Sequence, residues 1–107
     1  MNEIKSLCVY CGSSINVDPL YIEAAKQMGK IMAEAGIRLV YGGGKAGTMG
    51  VIADSVMQHG GEVIGIIPSH ISDREIQHKG LTELHVVDTM HVRKQMMVDY
   101  ADAFLVL

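Results

Sequence analysis

Residues 37–50 read IRLVYGGGKAGTMG, a short apolar run followed by ten residues of which five are glycine. An apolar run, a glycine-rich turn and then a helical pattern predict a strand that bends sharply into a helix. Such a turn can let the backbone approach a phosphate closely, or it can simply let the chain bend. This stretch alone leaves both interpretations open.

The same alternation of strands and helices extends in both directions. Asp18 and Pro19 are typical of a helix start, and Gly36 is placed to end that helix. Strands that are apolar along their length and alternate with helices indicate a parallel sheet covered on both faces. The sequence therefore predicts a doubly wound α/β fold with three layers. We expect helices at about 18–36, 47–59 and 89–101, strands at about 4–10, 37–41 and 62–67, a short extended piece at 83–87, and a fourth main strand at 103–107.

Composition limits the classes of protein and of partner. With 107 residues, 49% of them hydrophobic, and a formal charge of −3, the chain is expected to form a single domain over residues 1–107. Without a basic run we expect no nucleic-acid partner, and without an apolar stretch of about 20 residues we expect no membrane span. The first ten residues lack a signal-peptide pattern, which favours the cytoplasm.

Cys8 and Cys11 spell C-V-Y-C, a spacing that could suggest a redox pair or a zinc site. Residues three apart on a strand point to opposite faces, so the two thiols are not expected to meet. We interpret Cys8 as a buried, reduced thiol. The histidines lack ligand spacing, and we predict no metal site.

Gly42, Gly44 and Gly47 match the dinucleotide pattern G-x-G-x-x-G, but the pattern should follow the first strand and be answered by an acid after the next. Here the next strand ends in Pro68 and Ser69, which weakens an NAD interpretation. A Walker A loop would need lysine after the last glycine, where the chain has threonine. The glycine turn remains either a tight connection or part of a ligand site.

The helix predicted at 89–101 places an apolar group and two cations on one face, because Met90, Arg93 and Lys94 are spaced i, i+3 and i+4. Ligands of open parallel sheets gather at the carboxyl ends of the strands. By itself the pattern could equally be a solvated basic patch.

Four segments together resemble the Lonely Guy (LOG) family of cytokinin riboside 5′-monophosphate phosphoribohydrolases. They are CGSS at 11–14, YGGGKAGTMG at 41–50, VIGIIP at 63–68 and MHVRK at 90–94. Many bacterial members of this family carried the older label of lysine decarboxylase. The resemblance implies a Rossmann-like homodimer, and we expect no cofactor. It would hydrolyse the N-glycosidic bond of a nucleoside 5′-monophosphate, either AMP or a cytokinin riboside monophosphate, to free base and ribose 5-phosphate.

The same resemblance assigns roles to particular residues. It implies that Arg93 is catalytic and that the other substrate-contacting positions are Ser13, Gly42, Gly43, Gly44, Glu75, Met90 and Lys94. Thr48 stands where the family commonly has leucine, a small departure. A larger one is that the family's P-G-G-x-G-T-x-x-E segment, with a phosphate turn and a second catalytic glutamate, would begin after Leu107. We therefore expect a nucleotide-binding domain that is incomplete, truncated after the fourth main strand.

Chemistry makes that segment important for activity. Glycosidic cleavage passes through an oxocarbenium-like state that a nearby carboxylate stabilises, and an arginine is a poor proton donor. We expect the 107-residue chain to be inactive alone. The alternatives are a non-catalytic nucleotide-binding or carrier module and, with less support, a pyridoxal-phosphate decarboxylase, for which Lys45 and Lys94 have no obvious acidic companion.

Overall fold

A computed structural model describes residues 4–10, 18–44, 47–69 and 80–106, which form five strands and three helices. The predicted element types are confirmed. In chain order the elements are β1 (Ser6–Tyr10), α1 (Pro19–Glu34), β2 (Arg38–Tyr41), α2 (Gly47–Gln58), β3 (Val63–Pro68), β4 (Glu83–Val87), α3 (Met90–Tyr100) and β5 (Ala103–Val106).

All five strands are parallel neighbours in one sheet, in the order β4-β3-β2-β1-β5. The chain first steps outward from β1 to β4 and then crosses to the other side of β1 to form β5. This reversal is the topological switch point of a doubly wound sheet, which confirms the predicted fold class. Because the strands are parallel, their carboxyl ends all lie at one edge, where ligands of such folds bind.

The sheet is covered on both faces, as its apolar strands require. One core lies under α1 and α2 and includes Met32, Tyr41 and Ile52, and the other lies under α3 and includes Ile66 and Met97. All six residues of β3 are buried, which is typical of a central parallel strand. The helices thus form two outer layers around the sheet.

The first helix begins and ends as its sequence predicts. The Asp18 side chain accepts a hydrogen bond from the main-chain N–H of Leu20 at 2.9 Å, and Pro19 follows at the first helical position. Gly36 takes a φ of 72°, a left-handed conformation that favours glycine after a helix. Within the described residues, no helix is long and apolar enough to cross a membrane.

The edges of the sheet differ from its centre. The extended piece at 83–87 is a full strand that pairs with β3, so the closing strand is the fifth of the sheet. On β5 the exposed residues alternate, with Phe104 and Val106 on the outside. Asp102 fastens this strand to β1, because its carboxylate accepts hydrogen bonds from the main-chain N–H groups of Lys5 and Ser6 at 2.8 and 3.0 Å.

Cys8 is a free thiol that is fully buried under α3, as predicted. Its sequence neighbour in the C-V-Y-C pattern, Cys11, lies outside the described residues.

Candidate functional site

The glycine turn leaves the carboxyl end of β2 in a conformation that depends on glycine. Gly43 has a φ of 80°, and a Cβ there would lie 3.2 Å from the Cβ of Ile67. The buried hydroxyl of Tyr41 donates a hydrogen bond to the carbonyl oxygen of Gly44 at 2.7 Å, which stabilises the turn. The turn therefore packs tightly against the neighbouring strand.

A second glycine, Gly65 on β3, also makes this close packing possible. It lies within β3, opposite Tyr41, and a Cβ at this position would come within 2.9 Å of the Cα of Gly43. Sequence analysis did not assign a role to Gly65. The signal was a glycine inside the apolar strand VIGIIP, because a glycine in a strand interior often marks close backbone approach.

Arg93 comes from the first turn of α3, which begins at the same edge of the sheet. The side chain of Thr89 accepts a hydrogen bond from the main-chain N–H of Val92 at 3.1 Å, which caps the helix and fixes where that turn starts. The helix then lies over the central strands, where Met97 is buried against them. This docking directs the Arg93 side chain toward the glycine turn.

Two main-chain carbonyls hold the guanidinium of Arg93. Its Nε donates to the carbonyl oxygen of Ile66 on β3, and its Nη2 donates to that of Gly42, both at 2.9 Å. Its Nη1 lies 3.8 Å from the sulfur of Met90. A Cβ on Gly42 would collide with Nη2, so the absence of a side chain at position 42 gives the guanidinium its place.

The surroundings of Arg93 do not neutralise its charge. Burial lowers the pKa of Arg93 from its usual range, although an arginine so placed stays protonated near neutral pH. Its titratable neighbours, Cys8 and Tyr10, both have a raised pKa because burial disfavours their ionised forms. Among the described residues no carboxylate pairs with Arg93. A half-buried cation with neutral neighbours favours an anionic ligand.

Arg93 lines a cavity of about 560 Å³ between α3 and the ends of β1 and β2. The part of the lining that the structure describes carries two cations, no carboxylate and several apolar side chains. These residues are Val9, Tyr10, Gly42, Met49, Met90, Arg93, Lys94, Met97 and Val98. Two other grooves, of about 540 and 680 Å³, lie away from this edge.

Most of the site residues predicted from sequence thus meet at one edge. Gly42, Met90, Arg93 and Lys94 line the cavity, while Gly43 and Gly44 form the rest of the turn. Two predicted positions, Ser13 and Glu75, lie outside the described residues. Sequence analysis also missed the carbonyl of Ile66, which no side-chain pattern could signal.

A Rossmann-like sheet with an arginine-lined cavity at the carboxyl ends of its strands is typical of ligand-binding α/β proteins, and comparisons with known proteins narrow that class. Residues 49–107 match the model of the family described as "Possible lysine decarboxylase". The chain belongs to this family, which includes the LOG proteins.

The curated relatives agree with that placement. The chain is 44% identical over 104 residues to a cytokinin riboside 5′-monophosphate phosphoribohydrolase of Rhodococcoides fascians, covering 96% of the chain and 52% of the relative. It is 42% identical to the enzyme of that name, LOG, from Oryza sativa subsp. japonica, covering 99% of the chain and 44% of the relative. The chain therefore spans about half the length of the curated relatives it matches.

Solved structures share the fold at lower identity. A molybdenum cofactor binding protein from Rippkaea orientalis matches with a TM-score of 0.80 at 21% identity, covering 97% of this chain and 62% of that one. The molybdenum cofactor carrier protein of Chlamydomonas reinhardtii matches with a TM-score of 0.79 at 17% identity, with the same coverage of 97% and 62%. These likenesses support the fold.

Proposed function

We propose that the whole protein hydrolyses the N-glycosidic bond of a nucleoside 5′-monophosphate, releasing the free base and ribose 5-phosphate. The observation that carries this proposal is the guanidinium of Arg93, which is held by two neutral carbonyls and faces a cavity without a described carboxylate. The names of the curated relatives supply cytokinin riboside 5′-monophosphate as a substrate class, and the family resemblance adds AMP.

In this proposal Arg93 binds and orients the anionic sugar phosphate. Its Nε and one N–H of Nη2 are used by the carbonyls of Ile66 and Gly42, and Nη1 contacts only the weakly accepting sulfur of Met90 among the described residues. The second N–H of Nη2 and the N–H groups of Nη1 can therefore serve ligand oxygens. Gly42 keeps a side chain away from the guanidinium, while Lys94 adds a second positive charge to the cavity. Ser13 and Gly44 would border the nucleotide, as the family resemblance implies.

The bond to be broken joins C1′ of the ribose to a ring nitrogen of the base. Water adds to C1′, and the base leaves with a proton. Arg93 is too weak an acid to supply that proton. A carboxyl group must therefore stabilise the cation at C1′ and transfer the proton between the water and the leaving base. By resemblance that carboxyl group is the glutamate of the P-G-G-x-G-T-x-x-E segment, whereas Glu75 and Met90 would contact the substrate.

The test is release of free base from AMP and from a cytokinin riboside monophosphate by the whole protein. We expect Arg93→Lys to lower kcat/KM by a factor of about 100 or more, because a lysine cannot keep both carbonyl contacts and still present N–H groups to the ligand. The control is Arg38→Lys, which changes an arginine that binds Ser6 at the amino ends of the strands. Wild-type turnover by Arg93→Lys would contradict the assigned role.

A second candidate is a nucleotide-binding or carrier module without catalysis. The described cavity favours it in one respect, since the lining includes cations but no carboxylate. For the same reason we propose that the 107-residue chain binds AMP without cleaving it. Thermal protection by AMP with no free adenine is the expected result, and rapid release of adenine by this chain would contradict it.

The family's description would suggest lysine decarboxylation with pyridoxal phosphate. Lys94 lines the cavity, but the described lining offers no acidic partner for a pyridine nitrogen, so these residues do not fit that cofactor.

We further propose that the whole protein is a cytoplasmic homodimer. Light scattering of the whole protein would test the dimer through its molar mass.

A further inference from the structure

Tyr10 stands out in the cavity because it is a large aromatic side chain that remains 42% exposed. It is the last residue of β1, and it lines the same cavity as Arg93. Tyr41, at the corresponding end of β2, is fully buried and serves the glycine turn through its hydroxyl. The ring of Tyr10, by contrast, is only partly buried and borders the cavity.

The Tyr10 ring has an aromatic neighbour. The ring of Phe104 stacks on it, with the centroids 6.2 Å apart and the planes 14° from parallel. Phe104 comes from β5, which lies beside β1 at the edge of the sheet, whereas α3 contacts β1, β2, β3 and β4. Phe104 does not line the cavity but Tyr10 does. We therefore take the ring face away from Phe104 as the one open to the cavity.

The cavity around this ring is apolar except at its cationic end. Val9, Met97 and Val98 line it together with Tyr10, and Arg93 and Lys94 provide the charge. The result is a flat, backed aromatic surface close to an anion-binding group.

We propose that the ring of Tyr10, backed by Phe104, is the platform on which the base of the nucleotide stacks, while Arg93 holds its anionic part. This inference rests on the proposed function for the class of ligand. Bases stack on aromatic side chains through their π faces whatever their substituents. Tyr10 is therefore a base-binding residue, and its ring matters more than its hydroxyl.

The experiment separates the two ends of the nucleotide. The whole protein, labelled with ¹³C in its tyrosine rings, is titrated with adenosine, which has the base but no phosphate, and with ribose 5-phosphate, which has the phosphate but no base. The Tyr10 signals are assigned by their loss in Tyr10→Phe. We expect adenosine to shift the Tyr10 signals through its ring current and ribose 5-phosphate to leave them nearly unchanged.

Affinities of variants provide the second measurement. Tyr10→Leu is expected to weaken adenosine binding on the order of tenfold, because the stacking surface is lost, and to leave ribose 5-phosphate binding within about twofold. Tyr10→Phe should bind both ligands like the wild type. The matched control is Tyr21→Leu, which removes an exposed tyrosine of α1 outside the cavity.

Three results would overturn the inference: unshifted Tyr10 signals at saturating adenosine, equal shifts with ribose 5-phosphate, or unchanged adenosine affinity in a folded Tyr10→Leu. Should Tyr10→Leu fail to fold, the ring shifts of the wild type decide alone. Base release by a protein whose Tyr10 signals do not move would refute stacking and leave the hydrolase proposal intact. Shifted Tyr10 signals without base release would support stacking and refute the hydrolase proposal.

Discussion

Arg93 is oriented by the main chain before any ligand arrives. Hydrogen bonds from Nε to Ile66 and from Nη2 to Gly42 tie one side chain of α3 to the ends of two different strands. Carbonyl oxygens cannot be protonated near neutral pH, so this arrangement does not depend on the titration of a partner. A preoriented cation loses little entropy when an anion binds, which strengthens binding and electrostatic catalysis.

Gly42→Ala tests this arrangement with a single methyl group. Gly42 does not have a positive φ, so alanine suits the backbone, but its Cβ collides with the guanidinium. Displacing Arg93 from the Gly42 carbonyl should weaken AMP binding by a factor of about 10 to 100, the usual cost of losing a charged hydrogen bond. Calorimetric titration of the whole protein with AMP measures it.

Gly60→Ala is the matched control for that substitution. A Cβ at Gly60 meets nothing within 4 Å, but the φ of 84° is unfavourable for alanine. We expect this variant to lose about 1 kcal/mol in the free energy of unfolding and to keep its affinity for AMP. Equal losses of AMP affinity in both variants would mean that Gly42 serves only the fold.

At the scale of the elements, local sequence patterns are sufficient for much of the fold. Asp18 and Pro19 predict the start of α1, and the apolar run at 63–68 predicts the buried strand β3, because both signals depend on neighbours along the chain. The contact between Gly65 and Gly43 could not be predicted in this way. It depends on the register of β2 against β3, which separate parts of the chain determine together.

The same distinction between local and long-range signals applies to the site. The spacing of Met90, Arg93 and Lys94 predicts that they share a helical face, and all three line the cavity. Their role still depends on which strand ends lie beneath them. The acceptors of Arg93 are carbonyls, which every residue possesses, so no sequence pattern marks them.

The connection between β1 and β5 gives a prediction about pH. Hydrogen bonds from the main-chain N–H groups of Lys5 and Ser6 lower the pKa of Asp102 in the folded protein. Because the folded pKa is the lower one, the carboxylate stabilises the protein above its unfolded pKa, near 4. That stabilisation is lost as the pH falls through the folded pKa.

Urea unfolding of the wild type and Asp102→Asn at several pH values measures this contribution. We expect the wild type to be the more stable at pH 7 and the difference to shrink steadily below about pH 4, where the carboxylate of the wild type gains its proton. A difference that stays constant down to pH 2 would show that the charge of Asp102 contributes nothing to this connection.

At the scale of the whole molecule, the order of the strands assembles the site. The chain returns from β4 through α3 to β5, which places the start of α3 beside the carboxyl ends of β1, β2 and β3. Residues distant in sequence, such as Tyr10, Gly42 and Arg93, therefore share one cavity. The groove lined by Lys5, Arg38 and Glu62 lies at the opposite edge of the sheet and offers a mixed charge instead.

A crystal structure of the whole protein with AMP tests the central claim most directly. We predict that an oxygen of the nucleotide lies within about 3 Å of the Arg93 guanidinium, with Nε of Arg93 still bound to the Ile66 carbonyl. A nucleotide bound in the groove at the amino ends of the strands, with the cavity beside Arg93 empty, would contradict it.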